Sequence, residues 1–247
     1  MKATIMCLHC NTPIQTEIDE DFFDGKEMTC SQGHKFNFYP QVPKYSLLFH
    51  HSLIATHNGY FQEAFQTLYS GYEVFKESFV GAKFFSDSQD YPLTKEILKK
   101  INRSEKIDGA FTLAYTQMNG ALPKAMTTSM ITDRNKIIHQ GKLVDEKTLF
   151  NMGNWIFEQV TSILYQEHEN MILKKKRSSI FLNYEYQKFI DITKNEKPEE
   201  LGKTWSTLTF ATTPITPNLA VSPDKDLFTR LTAQDTYNGG TPFGFTH

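Results

Sequence analysis

A chain of 247 residues is long enough for one large domain, or for a small module joined to a medium one. Its hydrophobic share of 39%, with 20 Phe and 11 Tyr, supplies a core and excludes a disordered chain. The formal net charge of −2 says nothing global about partners. The charge is uneven, however: ILKKINR and ILKKKR are basic, EIDEDFFD is acidic. Such patches form either a nucleic-acid footprint or plain solvated helix faces. Every apolar run falls short of the roughly 18 residues that a membrane span needs. The start, MKATIMCLHC, lacks the long apolar stretch and small-residue cleavage site of a secretory signal. With three cysteines, two of them in a C-x2-C, a reducing, cytoplasmic setting and a metal site are expected rather than disulfides.

Taken in chain order, residues 1–42 differ from the rest. MKATIMC, TPIQTEI, KEMTC and HKFNFYP are short β-type runs separated by the turn-forming FDGK and SQGH. Cys7, Cys10, Cys30 and His34 form C-x2-C-x19-C-x3-H. The two-residue spacer lets both thiolates of a tight turn converge on one tetrahedral ion, and CSQGH supplies the second pair, with Gly33 easing the bend. This is the arrangement of a zinc ribbon holding a structural Zn2+, closed by four ligands and without an open position for chemistry. His9, between the first two thiols, is a poor ligand. Three free thiols and an incidental histidine are the bland alternative. A unit of about 40 residues usually needs a metal or disulfides to fold, which favours the ribbon.

Residues 43–197 change to helical periodicity. KYSLLFHHSLIATHNG predicts a first helix with Gly59 near its end, and YFQEAFQTLYSGYEVFKESFVGAKFF a long second one. PLTKEILKKIN carries Pro92 in the first turn of a third helix. SEKIDGAFTLAYTQMN opens on Ser104 as the expected N-cap. LPKAMTTSMITDRNKIIHQG follows, ending at Gly141. DEKTLFNMGNWIFEQVTSILYQEHENMILKKK is the longest pattern, opened by Asp145 and closed by lysines that suit a C-terminus. SIFLNYEYQKFIDITKN reads as either a strand or a last helix. Residues 198–247, rich in Thr, Pro and Gly, read as an extended, turn-rich C-terminal extension.

RNKIIHQGK, residues 134–142, matches an Arg-x4-6-His signature with a polar residue, Asn135, directly after the arginine. With the upstream helix NGYFQEAFQTLYSGYEVF, it resembles the HEPN family, all-helical domains found among microbial RNases. The resemblance spans about residues 44–170. It implies a HEPN-like helical bundle, so the expected fold is mainly α, preceded by a small β-type zinc ribbon and followed by an irregular tail. It also implies a metal-independent endoribonuclease of antiviral defence or growth arrest, acting on RNA as a homodimer with a composite active site, with room for a regulatory protein partner. Arg134, His139 and Asn135 would carry the chemistry, Lys136 and Lys142 would meet substrate, and Glu73 would support Arg134. Some members carry a tyrosine two residues after the histidine as a target of modification; here that position is Gly141.

The residue types suit the chemistry. Metal-free RNA cleavage needs a group to take the 2′-OH proton and one to protonate the 5′ leaving oxygen, and a histidine titrates in the right range for either. An arginine offers fixed donors to the charge growing on the phosphate. Against this, residues five apart on a helix lie about 140° apart, so Arg134 and His139 do not share a face of one regular helix. Either the helix loosens before Gly141 or two protomers complete the site. The plain reading of the same residues is a helix end with its cap, in a non-catalytic nucleic-acid- or protein-binding scaffold. Tyr69 and Tyr72 read as core or interface aromatics, and His50, His51 and His57 as packing or surface residues.

Overall fold

A computed structural model describes residues 2–7, 9–40, 43–173, 179–194 and 225–233. Two antiparallel hairpins form the N-terminal part. Strand β1 (Lys2–Met6) pairs with β2 (Pro13–Glu17) in the register Lys2↔Glu17 to Met6↔Pro13. Strand β3 (Lys26–Thr29) pairs with β4 (Lys35–Phe38), from Lys26↔Phe38 to Thr29↔Lys35. All four strands fall within the β-type runs of the sequence. Between the hairpins DFFD forms a single helical turn, α1 (Asp21–Asp24), where only a turn was expected. Its start is held by Asp19, whose Oδ1 accepts from the Phe22 N–H at 3.0 Å. That turn drives Phe22 into a small core with Ile5, Met28, Phe36 and Phe38, which Leu47 of the following helix completes.

The remaining described elements are helical: α2 (Lys44–His57), α3 (Phe61–Ser88), α4 (Tyr91–Lys100), α5 (Ser104–Asn119), α6 (Thr128–Gln140), α7 (Glu146–Leu173), α8 (Ile180–Thr193) and α9 (Leu227–Thr232). The chain is therefore mainly α with two small antiparallel sheets at its N-terminus. Local chemistry sets the boundaries. Asp90 caps α4 by accepting from the Leu93 N–H at 2.9 Å, with Pro92 in the first turn as expected. Asp145 caps α7 through the Thr148 N–H at 2.8 Å. The lysine run expected to close α7, residues 174–176, lies outside the described residues.

Three expectations change and one open alternative is settled. Helix α3 runs three residues past Phe85 to Ser88, ending on Gln89 in the left-handed conformation. Helix α5 begins at Ser104 itself, so the cap position is Arg103, in extended backbone. Helix α6 starts at Thr128 rather than near Leu122: the Thr127 hydroxyl accepts from the Met130 N–H at 3.3 Å, and a non-helical segment carrying Pro123 precedes it. The ambiguous SIFLNYEYQKFIDITKN is helical, capped by Ser179 through the Leu182 N–H at 3.2 Å.

The C-terminal extension also departs from the expected surface tail. Helix α9 buries Leu227, Phe228 and Leu231 against α7 and α2. Asn154 fastens it, with Nδ2 donating to the Thr229 hydroxyl at 2.7 Å and Oδ1 accepting from the Thr229 N–H at 3.0 Å. Phe228 sits flat on Gly153, where a Cβ would lie 2.4 Å from its ring. The apolar face of LFTRLT thus belongs to the core; the rest of residues 195–224 and 234–247 lies outside the described residues.

The two 28-residue helices α3 and α7 form the spine. Helix α3 packs against α2, α5, α7 and α8, and a run of rings (Tyr45, Phe49, Phe75, Phe79, Phe157, Phe181) fills the interior. Among the described residues no helix is long and apolar enough to cross a membrane.

Candidate functional site

A Cys3His group that could hold a metal ion is assembled by the two hairpins. Residues after β1 turn back through Asn11, which takes a left-handed φ of 56°, and its N–H donates to the Cys7 carbonyl at 2.9 Å. The second knuckle turns at Gly33, φ 79°, whose N–H donates to the Cys30 carbonyl at 2.9 Å. These turns bring one donor atom each from Cys7, Cys10, Cys30 and His34 within 4.8 Å of one another. The Cys10 and Cys30 sulfurs lie 3.7 Å apart, and His34 Nδ1 lies 3.4 Å from Cys30 Sγ and 4.0 Å from Cys7 Sγ. A tetrahedral ion with metal–sulfur bonds near 2.3 Å has edges of about 3.8 Å, so the set fits an ion such as zinc. No disulfide joins the three cysteines.

The electrostatics favour the ligating forms for two of the three thiols. Burial opposes ionisation of Cys30, but hydrogen bonding from the backbone at His34 and Gln32 outweighs it and brings the thiol down to about 6. The Gln32 N–H reaches Cys30 Sγ at 3.3 Å. The Thr12 hydroxyl, 3.0 Å from Cys10 Sγ, lowers that thiol, while burial raises Cys7. His34 is raised by Cys10 and Cys30, so loading the site releases protons. Thr12 and Gln32 are supports that the cysteine spacing could not name. His9 stacks on His34 at 5.1 Å and is exposed, outside the ligand set.

The arginine–histidine motif occupies α6. The helix stays regular to Gln140 and ends on Gly141, φ 69°, with the Gly141 and Lys142 N–H groups both returning to the Lys136 carbonyl. The last turn widens only at this cap, its closing bonds spanning five and six residues, and the two side chains part company. Arg134 turns toward α3: its Cζ lies 4.7 Å from the Tyr69 ring centroid, Nη2 is 3.7 Å from Glu73 Oε1, and Nη1 donates to Asn135 Oδ1 at 2.9 Å. His139 is exposed to solvent. The chain therefore brings Arg134, Asn135 and Glu73 together, and leaves His139 apart from them. Lys136 is exposed, and Lys142 pairs with Asp133 at 2.7 Å, which raises its ammonium.

The exposed side of α6 has a second property. Ile131 and Ile138, seven residues apart, are 47% and 39% exposed. On the helix they share one stripe with Asn135, and His139 lies within about 80° of its centre. Leu122 and Leu143, next to α6 on either side, are 73% and 80% exposed. Of these, Leu122 and Ile131 line one cavity, and Ile131 and Ile138 share a helix face.

Sequence reasoning missed a cavity beside Arg134. It measures about 510 Å³ and is lined by Tyr69, Tyr72, Lys76, Asp108, Arg134 and Trp155 among others. Tyr69, Tyr72 and Lys76, at i, i+3 and i+7 on α3, were the available signal, since that spacing puts all three on one face. Lys124, whose side chain pairs with Glu158 at 2.7 Å, stands at the rim. Compared with known proteins, the chain matches no family model, and neither a curated protein nor a solved structure matches it significantly.

Proposed function

We propose that the protein is a metal-independent endoribonuclease of HEPN type, with Arg134 and His139 meeting across a homodimer. The observation that supports this best is the layout of α6. Arg134 and His139 sit on either side of an exposed apolar stripe, Ile131 and Ile138, so a second copy docked on that stripe would bring each arginine towards its partner's histidine. Tyr69 and Glu73 hold the guanidinium from below, leaving donors for a phosphate.

In this reading His139 accepts the 2′-OH proton as the 2′ oxygen attacks phosphorus. The P–O5′ bond breaks, the 5′ oxygen takes a proton from solvent, and a 2′,3′-cyclic phosphate remains. Arg134 stabilises the charge on the phosphate oxygens, and Asn135 orients the guanidinium through its 2.9 Å contact. Lys136, exposed one residue on, contacts the RNA backbone, and Lys142 has its charge largely engaged by Asp133. The Cys3His cluster holds a structural zinc, because four protein ligands leave no position for water. An antiviral or growth-arresting role, with a partner that restrains the enzyme, follows from the family resemblance alone.

A specific observation favours the second reading, a non-catalytic binding scaffold: Arg134 already has partners in Tyr69, Glu73 and Asn135, while His139 stands apart in the single chain. An RNA cleavage assay in excess EDTA separates the two. Cleavage by the wild type, with His139→Ala reduced at least about 100-fold, supports the enzyme. Equal behaviour of the two proteins, with the dimer verified, supports the scaffold.

A further inference from the structure

The cavity between α3, α5, α6 and α7 has a chemistry of its own. Its wall is aromatic: the Tyr72 ring meets Trp155 edge-on at 5.5 Å and Tyr69 at 6.4 Å, with Phe111 at 6.5 Å. Two cations rest on this wall. Lys76 Nζ lies 4.9 Å from the Tyr72 centroid, and the Arg134 guanidinium 4.7 Å from that of Tyr69. Lys76 is 3% exposed and pairs with Asp108, which is half exposed at the opening beside Glu105. In the same wall Arg134 Nε and Trp155 Nε1 are buried donors without an acceptor among the described residues. Buried donors are rarely left so, and their positions mark where a ligand's acceptors are in demand.

Each feature selects part of a ligand. The Tyr69 and Tyr72 faces carry Arg134 and Lys76, so a flat ring meets this wall beside those cations and along Trp155, a contact tolerant of which ring it is. The arginine fork calls for an acceptor-only anion such as phosphate. Carboxylates at the opening call for donors, which ribose hydroxyls and exocyclic amines supply. The volume, about 510 Å³, lies within the range of small-molecule sites. Trp155, Tyr72 and Lys76 are too deeply set to be a simple surface patch, with 8%, 4% and 3% exposure.

We propose that this cavity binds a ribonucleotide, its base against Tyr69, Tyr72 and Trp155, its phosphate on Arg134 and its sugar or amino donors toward Asp108 and Glu105. The nucleotide is either free or one residue of an RNA strand; the recognising chemistry is the same. Binding does not require His139 to act, so the site stands whether or not the protein cleaves RNA.

The test uses the full chain carrying Trp205→Phe, which leaves Trp155 as the sole tryptophan, and His139→Ala, which removes the proposed general base. Trp155 fluorescence is titrated with AMP, UMP, adenosine, ribose 5-phosphate and a short oligoribonucleotide. AMP and UMP are expected to quench saturably, and ribose 5-phosphate to bind at least about tenfold more weakly for want of a base. Arg134→Gln should weaken AMP about tenfold and leave adenosine unchanged. Ala125→Phe, at an exposed position on the rim, should abolish quenching without unfolding the chain. Tighter binding of AMP than of the oligonucleotide identifies a free nucleotide as the ligand, and the reverse order an RNA residue. Absence of saturable quenching by every probe, with far-UV circular dichroism unchanged, overturns the proposal. So does quenching that survives Ala125→Phe or that ribose 5-phosphate matches.

Discussion

Cys30→Ala offers the sharpest perturbation of the N-terminal module. The substitution removes one of the four side chains that could hold a metal ion, and the sulfur that the Gln32 N–H addresses at 3.3 Å. What remains is two hairpins of four- and five-residue strands, each a kind that is at best marginal in water by itself. A structural zinc contributes on the order of 10–16 kcal/mol in isolated metal-binding peptides, far more than a core of eight buried residues can replace. Helical content behaves differently, because only Asp21–Asp24 of this module is helical while α2–α9 lie outside it. We therefore expect purified wild-type protein to carry about one zinc per chain by metal analysis. Cys30→Ala, or chelation, should abolish hydrogen-exchange protection over β1–β4 while leaving far-UV circular dichroism and protection in α3 and α7 almost intact. Leu47 and the Lys44–Glu20 ion pair at 2.6 Å tether the module to α2 but do not fold it. Full protection of β1–β4 after verified removal of metal would refute this reasoning.

Further expectations concern the bundle. Gly153→Ala drives a methyl into the Phe228 ring and should cost about 1–3 kcal/mol, lowering Tm by several degrees. An unchanged or raised Tm would show that α9 does not seat there. His50, 2% exposed, is pushed down to about 4 chiefly by burial and secondarily by His51. Its unfolded form takes up a proton near pH 6.5 and its folded form only near 4. Its contribution is therefore intact above 6.5 and falls by about 3 kcal/mol as pH drops to 4. The slope of Tm against pH in that window should flatten in His50→Leu, and equal slopes would contradict the assignment. Asp90→Ala removes the α4 cap and should cost about 1 kcal/mol by urea denaturation, with Asp90→Ser restoring most of it.

The four strands and the ligand set could be read from the sequence because each depends on short-range chemistry: alternation, turn residues and a two-residue thiol spacing. The 140° separation of Arg134 and His139 was likewise readable, since it follows from helix geometry alone and the helix proves regular to Gln140. What escaped depends on tertiary placement. LFTRLT looked like tail because the helices its apolar face packs on, α2 and α7, lie more than 50 residues away in sequence. The start of α6 was placed too early because LPKAM has helical composition, whereas the Thr127 cap and Pro123 decide the boundary. Trp155 and Lys76, about 80 residues apart in sequence, come to one cavity only through the packing of α7 against α3.

The central claim is that Arg134 and His139 of different protomers make one ribonuclease site. It is tested most directly by mixing Arg134→Ala with His139→Ala protein under conditions that exchange subunits, then measuring RNA cleavage. Each variant alone should be at least about 100-fold below wild type. In a mixed dimer one site regains both residues and the other loses both, so statistical mixing should restore about a quarter of wild-type activity. A mixture no more active than its components, with subunit exchange demonstrated, would contradict the composite site.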